Sequence, residues 1–279
     1  MKRISFLLLV FISTLVFIST QVYAQKHKLT RLWETDSVLT LPESALYNAK
    51  DKSVYVSLMG NSPTDKDSIG GVGIISADGK LTNLNWVTGL NSPKGLSKLN
   101  NKLYVADITD VVIINASTGK ILKKIAIDSS VFLNDIAVDK KGVVYVSDTR
   151  TKKIHKIEND VATLFLDNIA GVNGLKCIGE DLYIAGGKTF YRVGKNKALV
   201  KLAELPNGGD GIEPIGNGDF LFSSWPGYIY YVYADGRYEL LLDTHAEKIN
   251  AADIGYDPVN RIVYVPTFWK KSIVAYKLD

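Results

Sequence analysis

The residues with the clearest chemical potential stand at one register of a repeated segment. Two are carboxylates and two are amides, and together their oxygens would form a hard, flexible cage of the kind that suits Ca²⁺, with Mg²⁺ or Mn²⁺ as alternatives. Neither cysteine nor histidine joins them, which argues against Zn²⁺ or copper. Asn and Asp also cap turns and start strands, so a purely structural role is the alternative. The register holds Glu43, Lys94, Asn134, Asn173, Asp210 and Ala252.

Six short β-branched and aromatic segments follow this register, each ten to twelve residues later. The register residues are 51, 40, 39, 37 and 42 positions apart. A period near 40 with four strands per unit predicts an all-β fold, a six-bladed β-propeller. The six segments, interpreted as the second strand (B) of each blade, are 54–57, 103–106, 144–147, 182–185, 220–223 and 263–266.

The third unit shows how a blade is expected to be built. Its strands A to D are predicted at 136–138, 143–147, 153–157 and 161–166. In other units, Asp78-Gly79 and Asp235-Gly236 supply the positive φ that a tight turn between strands C and D requires. Asp107 and Asp148, at the ends of B strands, are interpreted as structural.

The last unit predicts how the ring closes. It contains strands A (253–256), B (262–265) and C (273–278), and then the chain stops. A spare strand, Leu29 to Thr35, lies near the start of the chain and would cover the open edge of strand C. Residues 25–279 are therefore predicted to form one propeller domain.

Strand A is the innermost strand of a propeller blade, so the register residues are expected to ring one end of the central channel. Four segments in this ring resemble the senescence marker protein/gluconolactonase/luciferin-regenerating enzyme superfamily, whose wider relatives are diisopropyl fluorophosphatase and the paraoxonases. These segments are Glu43 in LPESALY, Asn134-Asp135, Asn173-Gly174-Leu175 and Asp210-Gly211.

The resemblance implies a divalent metal, often Ca²⁺, on Glu43, Asn134, Asn173 and Asp210. It also implies hydrolysis of lactones or phosphotriester-like substrates, with Asp210 as general base or nucleophile. Asn134 and Lys94 would join Asp210 in catalysis, and His245 could act as a second acid or base near neutral pH.

Lys94 departs from the family pattern. Its ammonium could compete with a cation for Glu43 and Asp210, or it could anchor an anionic substrate and help to stabilise an oxyanion. A third reading is that the side chain extends out to water.

The substrate pocket is expected on the face where the A strands begin. The long loop from Met59 to Gly71 could cover it as a lid. The side chains expected in the pocket are Met59, Trp225, Phe268, Trp269 and Asp253.

The first 24 residues are interpreted as a signal peptide. Lys2 and Arg3 precede an apolar run, and cleavage is expected after Ala24, which predicts a periplasmic or extracellular protein. An uncleaved membrane anchor is the alternative. Losing Lys2 and Arg3 lowers the formal net charge from +4 to +2, and with no basic block in the remainder, nucleic acid is not an expected partner.

Two function classes follow. The first is an exported, monomeric, metal-dependent hydrolase of the lactonase or esterase type that acts on a small molecule without contacting a membrane. The second is a non-catalytic binding propeller resembling NHL repeats, in which Lys94 replaces the metal. A strictosidine synthase-like activity is a weaker third reading, since similar propellers host unrelated chemistry.

Overall fold

The structure is a computed structural model that describes residues 26–279, and it contains six four-stranded antiparallel sheets. The predicted six-bladed β-propeller is confirmed. The signal peptide lies outside the described residues and stays a prediction. Within residues 26–279, no helix is both long and apolar enough to cross a membrane.

The first strand along the chain, β1 (Leu29–Glu34), belongs to the sixth blade. Blades one to three then follow in chain order, and in each of them the strands lie side by side in sequence order. Blade one contains β2 (Pro42–Asn48), β3 (Ser53–Leu58), β4 (Gly70–Ser76) and β5 (Leu81–Leu90). Blade two contains β6 (Pro93–Leu99), β7 (Lys102–Asp107), β8 (Asp110–Asn115) and β9 (Ile121–Ala126). Blade three contains β10 (Leu133–Val138), β11 (Val144–Asp148), β12 (Lys153–Glu158) and β13 (Val161–Leu166).

Blades four and five repeat this arrangement. Blade four contains β14 (Val172–Ile178), β15 (Asp181–Gly186), β16 (Thr189–Val193) and β17 (Leu199–Glu204). Blade five contains β18 (Ile212–Gly216), β19 (Asp219–Ser224), β20 (Tyr228–Val232) and β21 (Tyr238–Asp243). Blade six contains β22 (Gly255–Asp257), β23 (Ile262–Pro266) and β24 (Ile273–Leu278). Short 3₁₀ turns lie at Lys195–Lys197 and Phe268–Lys270.

The predicted closure of the ring is confirmed. β1 pairs antiparallel with β24, so that Leu29 lies opposite Leu278 and Trp33 opposite Ala275. The sheet order is β1-β24-β23-β22, which places the N-terminal strand at the outer edge of the sixth blade. This blade is therefore built from both ends of the described chain.

Six apolar clusters form the core between the blades, one between each pair of neighbours, and a small seventh cluster lies near one end of the channel. The second strands show why their sequences are continuously apolar. Val54 and Val56 of β3 pack against blade six, whereas Tyr55 between them packs against blade two. Because successive side chains of a strand point to opposite faces, a strand buried on both faces needs an apolar residue at every position.

Candidate functional site

Bulges in the innermost strands turn the register residues into the channel. In β10, pairing with β11 shifts between Leu133 and Ile136, so Asn134 and Asp135 lie outside the regular ladder. The same shift surrounds the register dipeptides of β2, β6 and β14. A bulge adds one residue and redirects the side chains beside it, which is why bulges often lie next to functional sites.

Serines at the ends of the second strands satisfy the backbone at these bulges. The N–H of Asp135 donates to Ser147 Oγ at 2.9 Å, and the N–H of Ser44 donates to Ser57 Oγ at 2.9 Å. In blade five, where β18 begins after the register dipeptide, the N–H of Gly211 donates to Ser223 Oγ at 2.7 Å in the same way. A serine twelve or thirteen residues after the second residue of the dipeptide is therefore a sequence signal of this arrangement.

Five of the six register residues line one cavity of about 250 Å³ at the mouth of the channel: four lie at these bulges, and the fifth, Asp210, lies just before β18. Ala252 is the exception; it packs with Met59 and Phe268 in a small apolar cluster beside the cavity. The lining consists of Glu43, Met59, Pro63, Lys94, Phe132, Asn134, Asn173, Asp210, Trp225 and Phe268.

Two buried oxygens in this cavity have no hydrogen-bond partner among the described residues: Glu43 Oε2 and Asn173 Oδ1. The Asn173 amide donates to Asp210 Oδ1 at 2.9 Å, which leaves its own carbonyl oxygen free. The Asn134 amide donates to Thr149 Oγ1 at 3.1 Å. An unpaired buried acceptor is costly, so these oxygens mark a place where a donor or cation would be stabilised.

The electrostatics of the cavity follow from burial. Burial raises the pKa of Glu43 well above its usual range, and Asp210 and Asp253 add to the shift while Lys94 opposes it. Burial together with Asp253 raises the pKa of Asp210 to about 8. Both carboxyls therefore favour the protonated form unless a cation lies beside them.

Lys94 is 2% exposed, so the reading in which it extends out to water is wrong. Its ammonium donates to the carbonyl oxygen of Ser92 at 2.9 Å and lies 4.4 Å from the centre of the Phe132 ring. Burial lowers the pKa of Lys94 to about 8, although Glu43 and Asp107 oppose the shift. Within residues 26–279, Lys94 forms no ion pair with Glu43 or Asp210.

Three residues predicted for the site lie elsewhere. Asp253 accepts a hydrogen bond from Ser44 at 2.5 Å in a narrower part of the channel, which Asp135, the second residue of the dipeptide in blade three, also lines. His245 stacks on Tyr228 with ring centres 5.5 Å apart, outside the cavity lining. Trp269 is 55% exposed and packs edge-on against Phe268 without reaching the cavity.

Of the long loop that was predicted to cover the pocket, only Met59 and Pro63 line the cavity.

Phe132 lines the cavity but was not predicted from the sequence, because an aromatic residue two positions before the register occurs only in blade three. Asp107 and Asp148 have the structural role predicted for them, since they hold the backbone next to the cavity residues Lys94 and Phe132. Asp107 accepts from the N–H of Ser92 at 2.8 Å, and Asp148 accepts from the N–H of Phe132 at 3.2 Å.

The channel below the cavity is closed by a second layer of side chains. Its free space is about 20 Å³, on the order of one water molecule. Asp135, Asp253 and the ion pair of Lys176 with Glu213, 2.8 Å long, line it. A ligand can therefore enter only from the mouth.

Larger depressions of about 560 and 530 Å³ lie between blades at the opposite face. They are lined largely by turn residues such as Asn100 and Asn101. We place the site in the smaller cavity because buried polar groups from four blades converge there.

A metal at the ring would depend on amide oxygens as well as carboxylates. In the described part of the chain, no group of three or more His, Cys, Asp or Glu side chains is arranged to hold a metal. The ring offers Glu43 and Asp210 as charges and Asn134 and Asn173 as neutral oxygens. Hard oxygens of this kind, two of them unpaired, fit a cation such as Ca²⁺.

Comparisons with known proteins show the fold. No protein-family model matches the chain, and no curated protein matches it. The similar solved structures include catalytically inactive virginiamycin B lyase from Staphylococcus aureus with quinupristin, at 14% identity and a TM-score of 0.63, covering 90% of this chain and 99% of that one. A candidate gluconolactonase is 12% identical with a TM-score of 0.66, covering 92% and 94%. A protein of unknown function from Bacteroides thetaiotaomicron is 14% identical with a TM-score of 0.65, covering 92% and 77%.

The expected resemblance is thus confirmed at the level of the fold, since the gluconolactonase and lyase neighbours are six-bladed propellers.

Proposed function

We propose that the chain is a divalent-metal-dependent hydrolase of the lactonase or esterase type, acting on a small molecule held in the cavity. The observation that carries this proposal is the pair of buried, unpaired oxygens, Glu43 Oε2 and Asn173 Oδ1, beside Asp210. Ca²⁺ is the cation that the donor set suits best, and Mg²⁺ and Mn²⁺ are the alternatives. The gluconolactonase neighbour supports the same class by analogy of fold.

The residues that would hold the cation are Glu43, Asn134, Asn173 and Asp210. When bound, it would supply a Lewis acid that polarises a carbonyl or phosphoryl oxygen. Asp210 would attack the substrate or accept a proton from water, and either role requires its ionised form. Its pKa of about 8 reflects burial and Asp253, and a neighbouring positive charge favours ionisation.

Lys94 would act from blade two. Its ammonium donates to the carbonyl oxygen of Ser92 at 2.9 Å and to Ser92 Oγ at 3.5 Å, so its third N–H can donate to an oxygen that gains charge during the reaction. The apolar lining from Met59, Trp225 and Phe268 would exclude water and bind the organic part of the substrate. His245 is outside the lining, and we give it no role in the reaction.

The second candidate is a non-catalytic binding propeller in which Lys94 neutralises the channel carboxylates. The buried position of Lys94 and its electrostatic interaction with Glu43 favour this reading. The lack of a direct ion pair to Glu43 or Asp210 in the described residues weighs against it.

A lyase reaction is less favoured. One neighbour is an inactive His-to-Ala lyase variant, whereas His27, His155 and His245 all lie outside this cavity.

We also propose that the protein is exported, on the evidence of the apolar run that follows Lys2 and Arg3. It would then meet calcium outside the cytoplasm and work as a monomer.

The proposal is tested by calcium binding and by hydrolysis of lactones and aryl esters. We expect Asp210→Asn to weaken calcium binding more than about tenfold, because it removes one of two ring charges and even outer-shell changes commonly cost that much. Titration calorimetry measures the affinity. Asp181→Asn, at an exposed position outside the cavity lining, is the matched control and should bind calcium like the wild type. A wild type that binds no divalent cation and cleaves neither substrate class would disprove the hydrolase.

Lys94→Met separates the two candidates. In a hydrolase it should lower turnover while calcium stays bound, or binds more tightly because a competing charge is gone. In the binding propeller, it would leave Glu43 and Asp210 without their counter-ion, so stability should fall in chelator and recover with calcium. Thermal melts with and without calcium, beside activity assays, distinguish these outcomes.

A further inference from the structure

Two cationic groups lie close to one aromatic ring in the wall of the cavity. The guanidinium carbon of Arg150 lies 4.8 Å from the centre of the Phe132 ring, and Lys94 Nζ lies 4.4 Å from the same point. The two groups are therefore no further apart than these two distances combined. Phe132 and Lys94 both line the cavity, so Arg150 lies directly behind or beside that wall.

Hydrogen bonds on both sides of Arg150 hold its loop against the site. The N–H groups of Arg150 and Thr151 both donate to Asp148 Oδ1 at 3.1 Å. On the other side, Thr149 Oγ1 accepts from the amide of the ring residue Asn134 at 3.1 Å. These hydrogen bonds hold the backbone at Arg150 in place relative to the ring.

The guanidinium of Arg150 is exposed and forms no ion pair within residues 26–279. Arg31 and Arg237 contrast with it, since they pair with Glu34 and Asp235. The carboxylate nearest to Arg150 in sequence, Asp148, is committed to four backbone N–H groups, those of 131, 132, 150 and 151. The donors of Arg150 are therefore available to a ligand.

The charges of the cavity are segregated. Glu43 and Asp210 line the cavity from blades one and five, and Lys94 lines it from blade two, whereas Arg150 lies beside the lining on the loop between β11 and β12 of blade three. Arg150 lies close enough to Lys94 to contribute to the lowering of its pKa. A neutral substrate would add no negative charge to offset the repulsion between these two cations. A substrate with an anionic group placed between them would relieve that repulsion.

We propose that Arg150 and Lys94 form an anion subsite over Phe132, and that the substrate of this cavity carries a carboxylate beside its scissile ester or lactone. Arg150 holds the carboxylate with the paired donors of its guanidinium, a geometry in which Arg binds planar oxyanions well. The cation–π contact with Phe132 helps to keep the guanidinium at this position. This subsite rests on the proposed hydrolase for its reaction, but binding of the anion requires only the side chains described here.

The reaction test compares phenyl acetate with its 3-carboxy derivative. For Arg150→Met, the ratio of kcat/KM for the carboxylate substrate to kcat/KM for phenyl acetate should fall about 10- to 100-fold, the range expected for loss of a hydrogen bond to a charged group. Arg150→Lys should lose less, since it keeps the charge but not the paired donors. Lys152→Met, an exposed cation on the same loop without a ring contact in the wall, is the control and should leave the ratio unchanged.

A binding test separates failure of the subsite from failure of the hydrolase. Calorimetry with benzoate and with neutral benzamide should show tighter binding of benzoate by the wild type, and this preference should be lost in Arg150→Met. Preferential binding of benzoate by a protein that hydrolyses nothing would uphold the subsite and refute the hydrolase. Hydrolysis with equal use of both esters, and with no change on substitution of Arg150, would refute the subsite while the hydrolase stands.

Discussion

At the scale of single residues, the buried carboxyls make stability depend on pH. The pKa of Asp210 is raised to about 8 and that of Asp253 to about 7, in both cases chiefly by burial. In the folded protein these groups hold their protons at pH 6, whereas in the unfolded chain Asp ionises near pH 4. A raised carboxyl pKa stabilises the folded state at low pH, and that contribution is lost as pH rises towards the folded value.

We therefore expect the Tm of the metal-free protein to fall as pH rises from about 5 to about 8. Ion-paired carboxyls such as Glu34 and Glu180 have lowered pKa values, so their effect lies at more acidic pH. Calcium in excess should flatten the slope, because it stabilises the ionised ring carboxylates. Melts followed by circular dichroism in chelator and in calcium measure both slopes. Asp210→Asn should reduce the slope in chelator, and a Tm that rises through this window would contradict the assignment.

At the scale of elements, the inner strands approach so closely that the second residue of each register dipeptide is constrained. A Cβ at Gly174 would lie 1.7 Å from the carbonyl oxygen of Asp210 on the neighbouring blade. At Gly95 it would lie 2.3 Å from Asp135 Oδ1. These two glycines thus allow the innermost strands of adjacent blades to come into close contact, and Gly95 leaves room for the Asp135 carboxylate below the ring.

Gly174→Ala should accordingly destabilise the protein by about 3 kcal/mol or more, because backbone on both sides would have to move. It should also weaken calcium binding, since Asn173 and Asp210 are displaced together. Urea unfolding measures the first effect and calorimetry the second. Gly208→Ala provides the comparison: its nearest neighbour would be 3.6 Å away, an ordinary contact, so a similar loss there would mean that the close approach is not the cause.

At the scale of the whole molecule, stability depends on a noncovalent closure. β1 contributes the outer edge of the sixth blade, and Trp33 packs against the cluster between blades six and one. A further anchor precedes it, where the ring of His27 stacks on Tyr231 at 3.8 Å. Removing β1 would expose the hydrogen-bonding edge of β24 and part of this cluster.

Deletion of residues 29–34 should lower the Tm by about 10 °C or more, or abolish cooperative melting, if it costs at least about 4 kcal/mol in a domain of this size. Differential scanning calorimetry provides the measurement. A chain that begins at Lys28 keeps the whole of β1 and serves as the control for truncation itself. An unchanged cooperative melt after the deletion would show that the closure does not stabilise the ring.

The sequence alone determined the repeat, the six blades, the closing strand and the register of the ring. β13 and β24 begin and end where they were predicted, because alternation along a strand and turn residues such as Asp-Gly act locally. The innermost strands were predicted less well. β10 begins at Leu133 rather than Ile136, since pairing resumes beyond the bulge, and β22 begins at Gly255 because Asp253 forms a parallel bridge with Ser44 of blade one instead.

Only the tertiary structure decided which side chains meet at the mouth of the channel. Lys94 turns inward because Ser92 and Phe132 hold its ammonium, while Asp253 drops below the ring towards Ser44. Arg150 reaches the same ring as Lys94 although more than fifty residues separate them. Local pattern fixes which way a strand faces, but the contacts of a channel come from blades that are distant in sequence. Their approach is set by bulges and by glycines in close contact, and the repeat in the sequence does not state how closely two blades come together there.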